Sequence, residues 1–240
     1  MKGDSRPFCA AISCLFATVL LCVASPVAHA AVIYKSASLG PIGQSGGHEV
    51  NASLYFANRF TVTQDTQVTR IGGHMRCNTG CGEQGAIFGA IVKISPETGF
   101  PSFKPSEIGQ PSKVLAYTRL TPTQLSKDVR AILRVVLPPG EYALVFGSGA
   151  LGASGSASLP DNNPVLPGAS FFQGTVETDT WTNIDSLPMR WRLVVDGEPL
   201  PWWHIFLRKT TLVSVGIGIL LAVVFVWALR RRRQRGEAES

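Results

Sequence analysis

The pattern of hydrophobic and polar residues separates a long central region of short strands from one apolar run near the C-terminus. In the central region, runs rich in Val, Ile, Leu, Phe and Tyr alternate with turns rich in Gly and Pro, a pattern typical of β-strands. The eight or nine predicted strands, with no convincing soluble helix, favour an all-β domain, a β-sandwich of jelly-roll type. The predicted strands cover residues 32–34, 54–62, 67–75, 86–94, 114–118, 129–137, 141–146, 169–173 and 189–195.

Two long loops are predicted between these strands. Residues 96–111 contain four prolines and two glycines, and residues 147–167 are rich in Gly, Ser, Ala and Pro, which predicts a flexible surface loop. A shorter polar stretch, 178–186, carries Trp181. Most aromatic residues of the domain are expected in the core, whereas Trp181 is the one we expect to be exposed and to contact a ligand.

The apolar run at residues 211–229 contains no charged residue, and 19 residues of helix span roughly 28 Å, close to the thickness of a bilayer. It predicts a single transmembrane helix. A basic cluster follows it directly and predicts a cytoplasmic C-terminus, because basic residues are retained on the cytoplasmic side. The cluster consists of Arg230, Arg231, Arg232, Arg233 and Arg235.

The N-terminal region predicts export. Residues 8–23 form a short apolar run, and Ala28 and Ala30 match the small-residue pattern of a signal-peptidase site. The predicted organisation is a signal peptide (1–30), an extracytoplasmic domain (31–200), a juxtamembrane linker (201–210), the span (211–229) and a cytoplasmic tail (230–240). The expected location is the cytoplasmic (inner) membrane, with the bulk of the chain periplasmic or extracellular.

The net charge of +6 has its origin outside the predicted domain. Of the 22 Lys and Arg residues, nine lie in the leader or flank the span, and of the 16 Asp and Glu residues three lie outside residues 31–200. The domain therefore carries 13 residues of each sign and is formally neutral. This distribution argues against a nucleic-acid partner.

Cys77 and Cys81 are the two cysteines that remain after removal of the leader. In an oxidising compartment an even pair predicts a disulfide. The alternative is a metal site formed by His74, Cys77 and Cys81, but a structural zinc requires four ligands, and the fourth would have to be a distant residue such as His48 or Glu83. The disulfide is the preferred interpretation, and no metal or cofactor is predicted.

Several short patterns together resemble the exported bacterial "choice-of-anchor" β-sandwich domains. They include the aromatic strand 55–60, the strand 68–71, Gly99-Phe100-Pro101 before residues 114–116, the turn and strand 137–145, and the tryptophans Trp181 and Trp191. The resemblance implies an envelope location and a β-sandwich fold. The C-terminus is similar to the PEP-CTERM signals processed by exosortases, but it reads Gly197-Glu198-Pro199 where that motif has Pro-Glu-Pro.

The sequence favours a membrane-anchored, non-catalytic domain that binds an envelope or matrix polysaccharide or a protein partner. The alternative is a membrane-tethered hydrolase acting on envelope glycans or esters. A Ser/His/acid triad could draw only on His48, His74 or His204 in the mature chain, and no Gly-x-Ser-x-Gly elbow lies between a strand and a helix. No catalytic residue is therefore predicted.

Overall fold

The computed structural model describes residues 31–40, 47–79, 82 and 85–201. The predicted signal peptide, transmembrane helix and basic tail lie outside the described residues, as do Cys81 and all of the predicted linker except Pro201. Within the described part of the chain, no helix has the length and apolar character needed to cross a membrane.

The described residues form an all-β domain, as predicted from the sequence. Two single 3-10 turns, Pro105–Glu107 and Pro111–Lys113, interrupt the longest loop. The strands are β1 (Ala31–Lys35), β2 (His48–Val50), β3 (Leu54–Val62), β4 (Thr66–Thr79), β5 (Ile87–Lys93), β6 (Ala116–Leu120), β7 (Lys127–Leu137), β8 (Gly140–Gly147), β9 (Ser156–Leu159), β10 (Ser170–Thr175), β11 (Thr180–Asn183) and β12 (Leu193–Pro199).

The strands form two antiparallel sheets of six strands each. The first sheet has the order β1-β12-β4-β9-β2, and β7 also pairs with β4. The second has the order β11-β10-β3-β8-β5-β6. The turn at Pro138 and Pro139 joins β7 to β8, and these two strands belong to different sheets, so the chain crosses between the sheets at this turn.

The two sheets contribute side chains to one main hydrophobic core, which makes the architecture sandwich-like. Trp191 lies within it, with no exposed surface. Its ring meets the edges or faces of Phe56 and Phe171 at centroid distances of 4.8 and 5.1 Å. Phe56 comes from β3 and Phe171 from β10, whereas Ile71 and Val195 reach the same cluster from the first sheet.

The second sheet is buried on both faces. β5 is the clearest case, because Ile87 and Ile91 belong to the main core whereas the intervening Phe88 belongs to a second cluster on the outer face. Phe103 and Ile108, from the proline-rich loop, cover that outer face. The nearly all-apolar sequence of β5, which predicts a central strand, is explained by this burial on both sides.

Three strands were not predicted from the sequence. The prediction of a flexible loop at residues 147–167 is wrong for β9, whose four residues are all buried and pair with β2 and with the end of β4. β2 and β11 are likewise short and polar. Their intrinsic strand propensity is weak, and pairing with neighbouring strands decides their conformation. β12 begins only at Leu193, so the strand predicted from residue 189 starts later than expected.

Candidate functional site

Trp181 lies on β11 rather than in a loop, and its ring is half-buried rather than fully exposed. The indole Nε1–H donates a hydrogen bond of 2.8 Å to the Phe103 carbonyl oxygen. The indole also packs against Gly174 on β10, where a Cβ atom would come within 2.7 Å of the ring. The ring is therefore held in one orientation by a strand on one side and by the proline-rich loop on the other.

An open groove of about 650 Å³ lies beside Trp181. One side is formed by residues 93–104 and the other by Asp179, Thr180 and Trp181. Phe100, which is half-buried, adds a second aromatic ring to the lining and packs edge-on against Phe172 at a centroid distance of 5.6 Å. Such a combination of aromatic surface and a few polar groups is typical of small-ligand sites.

Asp179 connects the two sides of this groove. Its Oδ1 accepts a hydrogen bond of 3.0 Å from the Ser106 backbone N–H, and its Oδ2 lies 3.7 Å from Lys104 Nζ. The hydrogen bond from the Ser106 backbone, supported by the charge of Lys104, holds the pKa of Asp179 below its usual value. The carboxylate is therefore ionised at neutral pH and fastens the proline-rich loop to the β10–β11 hairpin.

Glu107 fixes the same loop from within. Its Oε2 accepts a hydrogen bond of 3.1 Å from the Lys104 backbone N–H, and it lies 3.4 Å from Lys113 Nζ. The backbone hydrogen bond from Lys104 and the nearby Lys113 lower the pKa of Glu107. The groove wall is thus preorganised by two carboxylates rather than by regular secondary structure.

The charges around this groove are balanced. Two of its carboxylates are paired with lysines, so no excess of either sign is available to attract an ionic ligand. The groove suits a neutral ligand with apolar faces and hydroxyl groups. The charged residues in or beside it are Lys93, Lys104 and Lys113, and Glu97, Glu107 and Asp179.

No family model matches this chain, and no curated protein sequence matches it significantly. The resemblance to the choice-of-anchor domains and to PEP-CTERM tails therefore stays a prediction. What the groove binds has to be inferred from its own side chains.

The residues of the alternative metal site do not converge in the described part of the chain. Met75 belongs to the main core, and Cys77, two residues further along β4, is buried on the same side. His74 is therefore directed to the opposite face, where its Nδ1 lies 3.4 Å from Asp128 Oδ1 on β7. Among the described residues no group of three metal-ligating side chains is found. The Cys77–Cys81 disulfide stays a prediction, since Cys81 lies outside the described residues.

His48, considered above as a fourth metal ligand or a catalytic base, has a different environment. Its Nε2 lies 3.2 Å from Asp161 Oδ2, and its ring packs against Phe56 and Trp191 at centroid distances of 5.6 and 5.8 Å. These contacts join β2 to the main core and to the loop after β9. They give His48 a packing role in this fold.

Asn58 is a buried polar residue that the sequence interpretation missed. Its Oδ1 accepts a hydrogen bond of 2.6 Å from Trp191 Nε1, and its Nδ2 donates one of 3.0 Å to the Ser170 carbonyl oxygen. The signal was present in the sequence, because Asn58 lies between Phe56 and Phe60 on the core-facing side of β3. A polar residue at such a position requires an internal partner.

Proposed function

We propose that this protein is an exported, membrane-anchored and non-catalytic β-sandwich of jelly-roll type that binds a neutral saccharide of the cell envelope or matrix. The observation that carries the proposal is Trp181, held at the wall of an open groove by its hydrogen bond to Phe103 and its packing on Gly174. A protein partner at the same groove is the competing outcome.

The chemistry of a sugar ring fits this groove in two respects. The C–H groups on one side of a pyranose ring are apolar and gain contact energy when they pack on an aromatic surface, which Trp181 and Phe100 supply. Its hydroxyl groups require hydrogen-bonding partners, which Ser95, Thr98 and Ser102 at the lining can provide. A fixed indole binds with a smaller loss of conformational entropy than a mobile one.

The binding proposal is tested by glycan-array retention of the full-length protein purified in detergent. Trp181→Ala is expected to weaken retention of a bound neutral glycan by at least about tenfold, since aromatic anchors in binding sites commonly contribute 2 kcal/mol or more. Tyr117→Ala is the matched control, because Tyr117 is an exposed aromatic (48%) on β6 and does not line the groove.

Unfolding midpoints of both variants must accompany the array, because Trp181 also packs against the second hydrophobic cluster. If Trp181→Ala and Tyr117→Ala retain glycans equally well, the groove is not the saccharide site. Retention of an envelope protein in place of any glycan would turn the proposal toward a protein partner.

The topology and the disulfide belong to the same proposal and are tested separately. A C-terminal reporter that is active only in the cytoplasm is expected to be active after residue 240 and inactive after residue 200. Thiol labelling of the denatured, unreduced mature protein is expected to detect no free cysteine, whereas labelling after reduction should detect Cys77 and Cys81. Periplasmic location of residue 240 would contradict the proposed orientation.

A further inference from the structure

A second groove, of about 480 Å³, lies on the outer face of the first sheet, where β4, β7 and the segment before β12 meet. Its lining differs from that of the Trp181 groove, because the described residues that form it include no aromatic ring apart from one imidazole. The side chains that matter for its chemistry are Lys35, His74, Ser126, Lys127, Asp128 and Arg192.

Two of these side chains have unmet hydrogen-bonding capacity. His74 is only 3% exposed; its Nδ1 lies 3.4 Å from Asp128 Oδ1, whereas its Nε2 has no hydrogen-bond partner among the described residues. The hydroxyl oxygen of Ser126 is also shielded from solvent and has no hydrogen-bond partner in the described part of the chain. A buried polar atom without a partner lowers stability by on the order of 1–3 kcal/mol. Such atoms beside one groove therefore indicate that a molecule bound in the groove supplies their partners.

The surroundings of His74 determine which hydrogen bond it can still make. Burial lowers the pKa of His74, although the carboxylate of Asp128 opposes that shift, so the ring is neutral at pH 7. A neutral imidazole carries one N–H, and the carboxylate 3.4 Å from Nδ1 favours the proton on that atom. Nε2 is then an acceptor and is suited to a ligand hydroxyl group.

Asp128 is already engaged and does not compete for the ligand. Arg192 donates to both of its oxygen atoms, with Nε–Oδ1 and Nη2–Oδ2 distances of 3.3 and 3.1 Å, and Arg130 Nη2 lies 3.3 Å from Oδ2. Arg192 also donates from Nη1 to the Ala37 carbonyl oxygen. The negative charge of the groove is therefore neutralised by its own arginines.

Lys35 and Lys127 supply an excess of positive charge. Both are exposed, and neither forms an ion pair with any residue in the described ranges. They come from β1 and β7, and both line this one groove. The groove thus combines an uncompensated cationic rim with an interior that requires hydroxyl partners.

We infer that this second groove binds an anionic saccharide. Its carboxylate lies between the ammonium groups of Lys35 and Lys127, and one of its hydroxyl groups donates to His74 Nε2 and accepts from Ser126 Oγ. The site is on the opposite sheet from Trp181, so it neither shares residues with the proposed neutral-saccharide groove nor depends on it.

Calorimetric titration of the full-length protein in detergent tests this inference with three probes: trigalacturonate, maltotriose and inorganic phosphate. Trigalacturonate is expected to bind, and the double variant Lys35→Gln/Lys127→Gln to weaken its binding at least tenfold. Ser126→Ala is expected to weaken it several-fold. Lys93→Gln, which removes an exposed lysine at the Trp181 groove, is the matched control and should leave trigalacturonate affinity unchanged.

The other outcomes overturn the inference. Maltotriose binding of equal affinity that Ser126→Ala weakens as it weakens trigalacturonate binding would place a neutral saccharide in this groove and show that the charge is irrelevant. Equal binding of phosphate would show a simple anion site without saccharide recognition. Trigalacturonate affinity that is unaffected by the lysine and serine variants would place its binding elsewhere. Trp181→Ala should leave trigalacturonate affinity unchanged, which keeps failure of this inference separate from failure of the neutral-saccharide proposal.

A second measurement addresses His74 without mutating it. The ¹⁵N resonance of His74 Nε2 is expected to move upfield when trigalacturonate is added, as it does when an unprotonated imidazole nitrogen accepts a hydrogen bond. Maltotriose should not cause this shift. His74 resonances that do not change at saturating trigalacturonate would contradict the proposed hydroxyl contact.

Discussion

The outer faces of the two sheets satisfy the same physical requirement in opposite ways. The outer face of the second sheet is apolar, with Phe88, Val92 and Val145, and the proline-rich loop covers it with Phe103 and Ile108. The outer face of the first sheet carries a network of ion pairs. Three of them join different segments of the chain, Arg70–Asp196, Arg130–Asp196 and Arg192–Asp128, and one, Arg130–Asp128, lies within β7.

Gly72 leaves the space that the ion pairs of Arg130 occupy on the first sheet. Gly72 lies opposite Arg130 in the β4–β7 pairing, and a Cβ atom at Gly72 would come within 2.8 Å of the Arg130 side chain. The guanidinium of Arg130 passes over this position and lies between Asp128 on β7 and Asp196 on β12.

The difference between the two faces decides where a ligand site can form. Apolar surface must be covered to contribute to stability, and its cover creates a groove at the edge, where Trp181 lies. Charged surface can remain in water, and its grooves lie directly on the sheet. Solvent-exposed ion pairs contribute only about 0–1 kcal/mol each, whereas a buried aromatic side chain contributes several times more. We therefore expect the covered face to dominate stability.

The largest expected effect is that of Phe103→Ala. Phe103 is 5% exposed and anchors the proline-rich loop on the second sheet, so its truncation should lower the free energy of unfolding by about 3–5 kcal/mol. Urea unfolding measures this loss. Limited proteolysis should show faster cleavage within residues 96–113, while Leu125→Ala, at an 80% exposed position, serves as the control. A loss below about 1 kcal/mol would mean that the loop does not stabilise the sheet.

The next largest effect is expected for Gly72→Ala on the charged face. A Cβ atom at Gly72 would come within 1.9 Å of the Val129 carbonyl oxygen, a backbone atom that cannot move without displacing β7. We expect a loss of about 1–3 kcal/mol, in the range of over-packing. Gly109→Ala, whose nearest neighbour would be 3.9 Å away, is the control in the same unfolding assay. Equal stability of the two variants would show that β4 and β7 tolerate a wider separation.

The charged face was much harder to predict from the sequence than the covered one. The apolar runs of β5 and β8, both in the second sheet, are local signals, and both strands were predicted almost to the residue. His74, Asp128 and Arg192 are far apart in the sequence, and only the pairing of β4 with β7 and β12 brings them together. Strand patterns predict which residues face the core but not which strands become neighbours.

The Trp181 groove was predictable only in part. The polar sequence around Trp181 distinguished it from the core tryptophan Trp191, and this distinction holds in the structure. Its strand conformation depends on pairing with β10, and its orientation on Gly174 and on the Phe103 carbonyl. No local propensity encodes these contacts, because each comes from a different part of the chain.

A smaller effect is expected from acidification, and it concerns the charged face alone. The pKa of His74 is lowered in the folded protein, so protonation favours the unfolded state: stability is complete above the ordinary histidine value of about 6.5 and falls as the pH drops through it. One proton can contribute at most about 1.4 kcal/mol per pH unit. His74→Gln should therefore lose less stability than the unmodified protein between pH 7.5 and 5. The pKa of Asp128 is lowered as well, so its contribution is lost only below about pH 3.9.

Chemical denaturation at a series of pH values separates these two residues. Asp128→Asn should keep the change of unfolding free energy with pH above pH 5, because that change comes from the histidine. The loss of the neighbouring charge should alter its magnitude. The change with pH below about pH 3.9, which comes from Asp128, should disappear. Identical slopes for His74→Gln and the unmodified protein between pH 7.5 and 5 would show that His74 does not titrate differently in the two states.

The smallest effect is expected for Lys104→Gln, at the Trp181 groove. The Lys104–Asp179 ion pair spans 3.7 Å, and the lysine side chain is 70% exposed, so solvent screens most of the attraction. We expect the free energy of unfolding to change by less than about 0.5 kcal/mol, whereas Asp179→Ala, which also removes the hydrogen bond to the Ser106 backbone, should cost more. Trp181 fluorescence in both variants reports whether the groove keeps its shape. If Lys104→Gln destabilises the protein as much as Asp179→Ala does, the ion pair and not the backbone hydrogen bond fastens the loop. The stability of both outer faces would then depend on ion pairs.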